Sequence, residues 1–222
     1  MRVLAVSDKV IPFIYGPQVR QRFDDVDLVI SCGDLPVNYL EYIIDALDVP
    51  LVYVRGNHDE SNSYYPDKPD AGPRGGLDLH GTSVMVKGEL MAGIQGCLWY
   101  RPGLYQYTQR EMWLQALRLV PGLLLNRIRY GRYLDVLVTH APSWGLHDLP
   151  DLPHQGLKAF RWLVMTFQPA YHLHGHVHVY SPQTVTHSEL GTTQVINVYG
   201  FRQILTTDIA GQPRTAKNQH LS

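Results

Sequence analysis

Five short stretches of this chain combine residue types that do chemistry: Ser7-Asp8, Gly33-Asp34, Gly56-Asn57-His58-Asp59, Thr139-His140-Ala141-Pro142 and Gly175-His176-Val177-His178. Asp, Asn and His together make a borderline-hard ligand set, suited to Mn²⁺, Fe or Zn²⁺. A carboxylate such as Asp34 can bridge two ions. Two ions about 3.5–4 Å apart clamp a phosphate ester and turn a bound water into hydroxide. Gly33, Gly56 and Gly175 allow the backbone to turn sharply beside such ions. His176 and His178 alternate by two, so they share a face on a strand or address neighbouring ions from a turn. Taken singly, each stretch has an ordinary reading. A Gly-Asp pair closes a turn, a lone His140 satisfies hydrogen bonds in a core, Gly56–Asp59 forms an Asx turn, and Gly175–His178 scavenges zinc at a surface. The joint pattern is more specific, because all five occur in order and each follows an apolar run.

Those runs are the elements that must position the ligands. Arg2–Ser7, Leu28–Cys32 and Leu51–Arg55 are short, Val/Leu/Ile-rich and nearly continuous in apolarity, the look of strands covered on both faces; Leu134–Thr139 reads as another buried strand and Tyr171–His174 as strand-like. Gln18–Phe23 and Tyr39–Leu47 read as intervening helices. Tyr65 to Gly76 is a Pro/Gly/Asp-rich loop long enough to have a function. Leu77–Leu79, Ser83–Val86 and Glu89–Ile94 follow, with His80-Gly81 and Lys87-Gly88 between them reading as hairpin turns. Thr108 and Glu111 have capping-box spacing at the head of a helical stretch reaching Tyr130, which Pro121-Gly122 is expected to split in two. Gly156–Phe167 is an amphipathic helix stopped by Pro169. Further strands are expected near Gln183–His187, Thr193–Val198 and Gln203–Asp208. In open α/β sheets ligands gather at the carboxyl ends of strands, where all five stretches fall.

The ordered series Asp8, Gly33-Asp34, Gly56–Asp59, Thr139–Pro142 and Gly175–His178 resembles the calcineurin-like metallophosphoesterase superfamily over nearly the whole chain. The resemblance implies an α/β fold, a four-layer sandwich of two mixed β-sheets flanked by helices, in agreement with the elements above. It implies two divalent metal ions (Mn, Fe or Zn) and hydrolysis of a phosphomonoester or phosphodiester through a metal-bound water or hydroxide. Carried over by position, Asp34 bridges the ions, Asn57, His140 and His176 complete one site, and Asp8 and His178 serve the other. His58 protonates the leaving oxygen or steadies the phosphate, and Asp59 fixes its tautomer. Arg55 either meets a phosphate oxygen or forms a strand-end salt bridge.

The superfamily's first motif reads Asp, any residue, His; here it reads Asp8-Lys9-Val10. The second site then keeps Asp8, Asp34 and His178, a workable shell whose occupancy depends on metal supply. That gap opens an alternative: a catalytically weak or inactive relative with one metal, acting as a ligand- or partner-binding protein. Lys9 either replaces the charge of a lost ion or points to solvent. His147 and His154, in the loop after His140, either supply the lost nitrogen or grip substrate, or belong to a polar surface loop capping the next helix. Tyr64, Tyr65, Trp99, Tyr100, Tyr105 and Tyr107 stack on a base or aryl group, or pack at the rim. His172 and His174 read as core histidines and Cys32 as a small buried apolar residue.

The chain's 222 residues, 45% of them hydrophobic, suit one domain over residues 1–210 followed by a polar tail. A net charge of −1 offers no broad basic field for nucleic acid, and no basic tract marks a membrane surface. No apolar stretch is long enough to span a bilayer. Two cysteines, Cys32 and Cys97, build no disulfide framework, so a reducing cytoplasm is expected. The resemblance implies a small phosphate ester as the partner, with no membrane; the near-neutral charge speaks weakly against nucleic acid.

Overall fold

The computed structural model describes residues 1–59 and 72–206. Tyr64, Tyr65, the loop as far as residue 71 and the tail from Gly211 lie outside the described residues. In chain order the elements are β1 (Arg2–Ser7), α1 (Val19–Arg22), β2 (Leu28–Ser31), α2 (Val37–Leu47), β3 (Leu51–Tyr53), β4 (Gly76–Asp78), β5 (Ser83–Val86), β6 (Glu89–Ile94), β7 (Cys97–Leu98) and β8 (Gln106–Tyr107). They continue with α3 (Gln109–Tyr130), β9 (Val136–Thr139), α4 (Lys158–Phe167), β10 (Tyr171–His174), β11 (His187–Leu190), β12 (Thr193–Asn197) and β13 (Gly200–Leu205).

Two mixed sheets result. The first has the order β13-β1-β2-β3-β4, parallel except for β13. The second has the order β11-β12-β10-β9-β6-β5, with β11 and β5 antiparallel at its edges. The period-two alternation of strand side chains builds the layers. Val3, Ala5, Leu28 and Ile30 meet Met91, Val136, Val138 and Leu173 between the sheets. Leu4, Val6 and Val29 point the other way, onto Tyr39 and Ile43 of α2 and Val19 of α1. Ala92, Ile94 and Leu137 pack outward on Met112 and Leu119 of α3 and Phe160 and Leu163 of α4. The four-layer sandwich expected from the sequence is the one observed.

Two local expectations are corrected. α3 runs unbroken through Pro121. Residues on both sides of the proline, Ala116 and Leu119 before it and Leu123 after it, are buried in one cluster. Pro121 itself faces outward, where solvent can satisfy the carbonyl that loses its donor. Packing on a shared floor outweighs the proline. His80-Gly81 is also no hairpin: β4 lies in the first sheet and β5 in the second, so the segment crosses between sheets. His80 bridges Gly93 on the way. Lys87 and Gly88, at φ 51° and 86°, do close the expected β5–β6 hairpin. The Thr108–Glu111 capping box forms as expected.

His172 and His174 are fully buried on β10. His172 Nε2 lies 2.8 Å from Thr139 Oγ1, and His174 Nδ1 donates to the Gly175 carbonyl at 3.0 Å. Burial pushes the His172 pKa down to about 3 and His174 well below its ordinary value. Below about pH 6.5 the unfolded chain takes up protons that the folded chain refuses. The stability these two supply is complete above that pH and drains away as pH falls toward 3. His172→Gln should flatten the loss by about one proton, or about 1.4 kcal/mol per pH unit. Urea unfolding at several pH values between 7.5 and 4.5 checks it; parallel wild-type and variant curves would contradict the buried neutral imidazole.

Candidate metal centre

The five strand ends come together at one edge of the sandwich. Asp8 follows β1, Asp34 follows β2 through Gly33, Asn57 follows β3, His140 follows β9, and His176 follows β10 through Gly175. Asp8, Asp34 and His176 all adopt left-handed backbone, at φ 61°, 57° and 69°. Non-glycine residues seldom hold that conformation, and three of them in one cluster mark a place where the surroundings enforce it. The enforcing contacts are present. Asp8 N donates to the Gly33 carbonyl at 3.2 Å and Gly175 N to the His140 carbonyl at 2.9 Å. His58 N donates to Asp34 Oδ1 at 2.7 Å. His176 N donates to both Asp8 oxygens at 3.0 Å.

The donor atoms converge. His140 Nε2 lies 3.1 Å from Asn57 Oδ1, 3.1 Å from His176 Nδ1 and 3.4 Å from Asp34 Oδ2. Ligand atoms about 2.1 Å from a common ion stand about 3.0–3.4 Å apart, so the spacing fits. The tautomers fit as well. His140 Nδ1 donates to the Cys32 carbonyl at 2.8 Å and His176 Nε2 donates to the Pro153 carbonyl at 2.7 Å. In the neutral rings those bonds leave lone pairs on Nε2 of His140 and Nδ1 of His176, which face each other. Asn57 Nδ2 donates to the Tyr100 hydroxyl at 3.2 Å, so the amide oxygen is the end turned inward. Two imidazole nitrogens, an amide oxygen and a carboxylate oxygen repel one another unless a cation sits among them. Burial alone would push His140 down, but the Asp34 carboxylate beside it raises its pKa, and the same contact holds Asp34 low. A proton on His140 partly meets the demand for positive charge in the free protein. Among the described residues Asp34, His140 and His176 form a group of carboxylate and imidazole ligand atoms compact enough for a metal ion.

The second group is looser. The Asp8 side chain is fully buried, and burial raises its pKa. His178 Nε2 lies 3.9 Å from Asp8 Oδ1, and Nδ1 lies 2.8 Å from the Tyr180 hydroxyl. The His178 ring packs on Tyr199 with centroids 4.7 Å apart. Val10 and Lys9 are exposed, so Lys9 does not fill the gap in the first motif.

Other candidates take different places. His58 is exposed on the turn that holds Asp34. Asp59 does not fix the His58 tautomer: its carboxylate accepts the backbone N–H groups of Gly56 at 2.7 Å, Leu35 at 3.0 Å and Asp34 at 3.2 Å, clamping the two glycine turns together. Arg55 Nη1 pairs with Asp78 Oδ2 at 2.5 Å, the strand-end salt bridge that was one of its two expected roles. His154 sits beside His176, with ring centroids 5.5 Å apart, and is paired with Asp151 at 2.5 Å. His147 turns away, to His174 at 3.0 Å and Ser188 at 2.9 Å, and supplies no missing nitrogen. Sequence reading missed the carbonyls of Cys32 and Pro153, the Tyr180 and Tyr199 contacts, and Asn197, whose Nδ2 holds the Val177 carbonyl at 2.8 Å. Only Tyr180 carries a signal, two residues beyond His178 in the same alternation.

Comparison with known proteins places the fold and the family. TT1561 of Thermus thermophilus has a similar fold, with 16% identity, 91% of this chain and 93% of that chain covered, and a TM-score of 0.61. A hypothetical protein from the same organism matches at 18% identity over 90% of this chain and 76% of that one, with a TM-score of 0.50. No curated protein matches. The family described as calcineurin-like phosphoesterase matches residues 1–180. That match spans all five strand ends and most of both sheets: the chain belongs to the calcineurin-like phosphoesterases, a family dependent on divalent metals.

Proposed function

We propose that this protein hydrolyses a small phosphomonoester or phosphodiester, using divalent metal held by Asp34, Asn57, His140 and His176, with a weaker second position at Asp8, Asp34 and His178. The observation that carries the reading is the packing of three lone-pair atoms within 3.1–3.4 Å of a fourth, His140 Nε2, with the far nitrogen of each imidazole tied to a carbonyl. Metal bound there supplies Lewis acidity toward a phosphoryl oxygen and lowers the pKa of water. The chain's own groups do the remainder. His58, exposed on the turn anchored to Asp34 Oδ1, is assigned the proton for the leaving oxygen; its exposure supports the role. Asp59 keeps that turn in register with the Gly33 turn. Tyr100 orients the Asn57 amide, and Tyr180 and Tyr199 orient His178.

The test is metal content of the purified chain, followed by turnover of chromogenic phosphomonoesters and phosphodiesters with Mn²⁺, Zn²⁺ or Fe²⁺. His176→Ala should abolish turnover; wild type and variant behaving alike under every metal would end the enzymatic reading. Val10 favours a second reading, a single-metal binding protein, because an exposed valine stands where the family has a ligand. Val10→His should raise metal content from about one ion per chain toward two. Unchanged content would mean that the second position is already filled by other donors.

A further inference from the structure

α3 has two apolar faces. One, with Met112, Ala116, Leu119 and Leu123, is buried against the second sheet. Advancing about 100° per residue, Leu114, Leu117, Pro121, Leu124, Leu125 and Ile128 fall within an arc about 100° wide on the opposite side. This ridge is open: Leu114 is 60% exposed, Leu117 49%, Leu124 48%, Leu125 51% and Ile128 82%. A surface helix ordinarily turns polar residues outward, and a contiguous apolar ridge marks a contact surface.

The charges around the ridge choose the partner. Arg110, Arg118 and Arg129 lie along it, all exposed, and none is ion-paired among the described residues. Glu111, the sole acid of the helix, is taken up by the capping box. The chain as a whole has a net charge of −1, so the basic character is local to this face. These arginines are far apart in sequence and form no linear basic tract; winding the helix sets Arg110 within the ridge and Arg118 and Arg129 along one edge of it. A second copy packed antiparallel across a two-fold axis would set the Arg118–Arg129 edge against itself. A bilayer with anionic headgroups answers both features at once, taking the Leu/Ile ridge at the acyl boundary and pairing the guanidinium groups with phosphates. No helix among the described residues is long and apolar enough to cross a membrane, so the helix would lie along the surface.

We propose that the outer face of α3 docks the protein on an anionic bilayer surface. The full chain is sedimented with vesicles of phosphatidylcholine alone and of phosphatidylcholine mixed with phosphatidylglycerol, while light scattering records its mass in solution. Binding is expected to the mixed vesicles and to weaken with salt. Leu117→Glu with Ile128→Glu should lower it at least tenfold, and Arg118→Gln or Arg129→Gln about fivefold each. All four sites are exposed, so melting temperatures should stay close to wild type. Absence of binding, equal binding to both vesicle types, or full binding by the glutamate variant would overturn the proposal. So would a wild-type dimer that the same glutamates dissociate, which would assign the ridge to a second copy.

Discussion

Asp34→Asn is expected to lower metal affinity by at least about 100-fold and to take phosphoesterase turnover to background, while the fold survives. Asparagine tolerates left-handed backbone, and Asp34 sits at φ 57°. The amide also retains an oxygen to accept the His58 N–H now bound at 2.7 Å. What disappears is charge. The Asp34 carboxylate is the negative partner of His140, 3.4 Å away, and is what holds that imidazole above its ordinary pKa. Without it the cluster keeps neutral donors but loses the carboxylate charge beside His140. Calorimetric titration with Mn²⁺ or Zn²⁺ and a chromogenic ester assay read the two effects separately, and near-UV circular dichroism monitors packing. If the protein is a single-metal binder without catalysis, affinity falls in the variant but wild type shows no turnover to lose. Retention of wild-type affinity would mean that Asp34 is no ligand, and the proposed centre would fail.

The sequence made this site legible where chemistry demands a particular side chain. Asp34, Asn57, His140 and His176 were carried over from the family resemblance, which rests on Asp, Asn and His recurring in order after apolar runs. The groups that orient them were not, because the Cys32 and Pro153 oxygens are backbone carbonyls and every residue has one. Asp59 was assigned to its neighbour in sequence, yet its carboxylate serves turns from two strands, a pairing that exists only after β2 and β3 lie side by side. His80-Gly81 carries the chemistry of a tight turn, and nothing local distinguishes a hairpin from a crossing between sheets. Pro121 breaks helices in isolation, but here both flanking turns are anchored in one core. The ridge on α3 was hidden for a related reason: a leucine-rich helix does not show in its sequence which of its two apolar faces the sheet will cover.

Gly56→Ala should disable the centre without removing any ligand. A Cβ on Gly56 would lie 2.0 Å from Asp34 Oδ1 and 2.6 Å from His140 Cε1, well inside contact distance. Neither neighbour can yield. The Asp34 carboxylate is tied to the His58 N–H at 2.7 Å, and the His140 ring is tied to the Cys32 carbonyl at 2.8 Å in a fully buried position. The turn itself is fixed by the Gly56 N–H on Asp59 at 2.7 Å. One methyl group must therefore displace a ligand carboxylate or open the turn. Overpacking of this kind costs about 1–3 kcal/mol of stability, and shifting a ligand's support costs about 10–100-fold in metal affinity. Gly131→Ala separates the two. Gly131 has φ +74° at the end of α3 with nothing within 4 Å of the added carbon. Its alanine variant should lose about 1–2 kcal/mol through backbone strain alone and bind metal like wild type. Metal titration and urea unfolding of the two variants side by side give the answer: equal stability loss with affinity lost only in Gly56→Ala locates the damage at the centre. A Gly56→Ala protein that binds metal at wild-type affinity would show that the strand-end turn is not what holds Asp34 and His140 together.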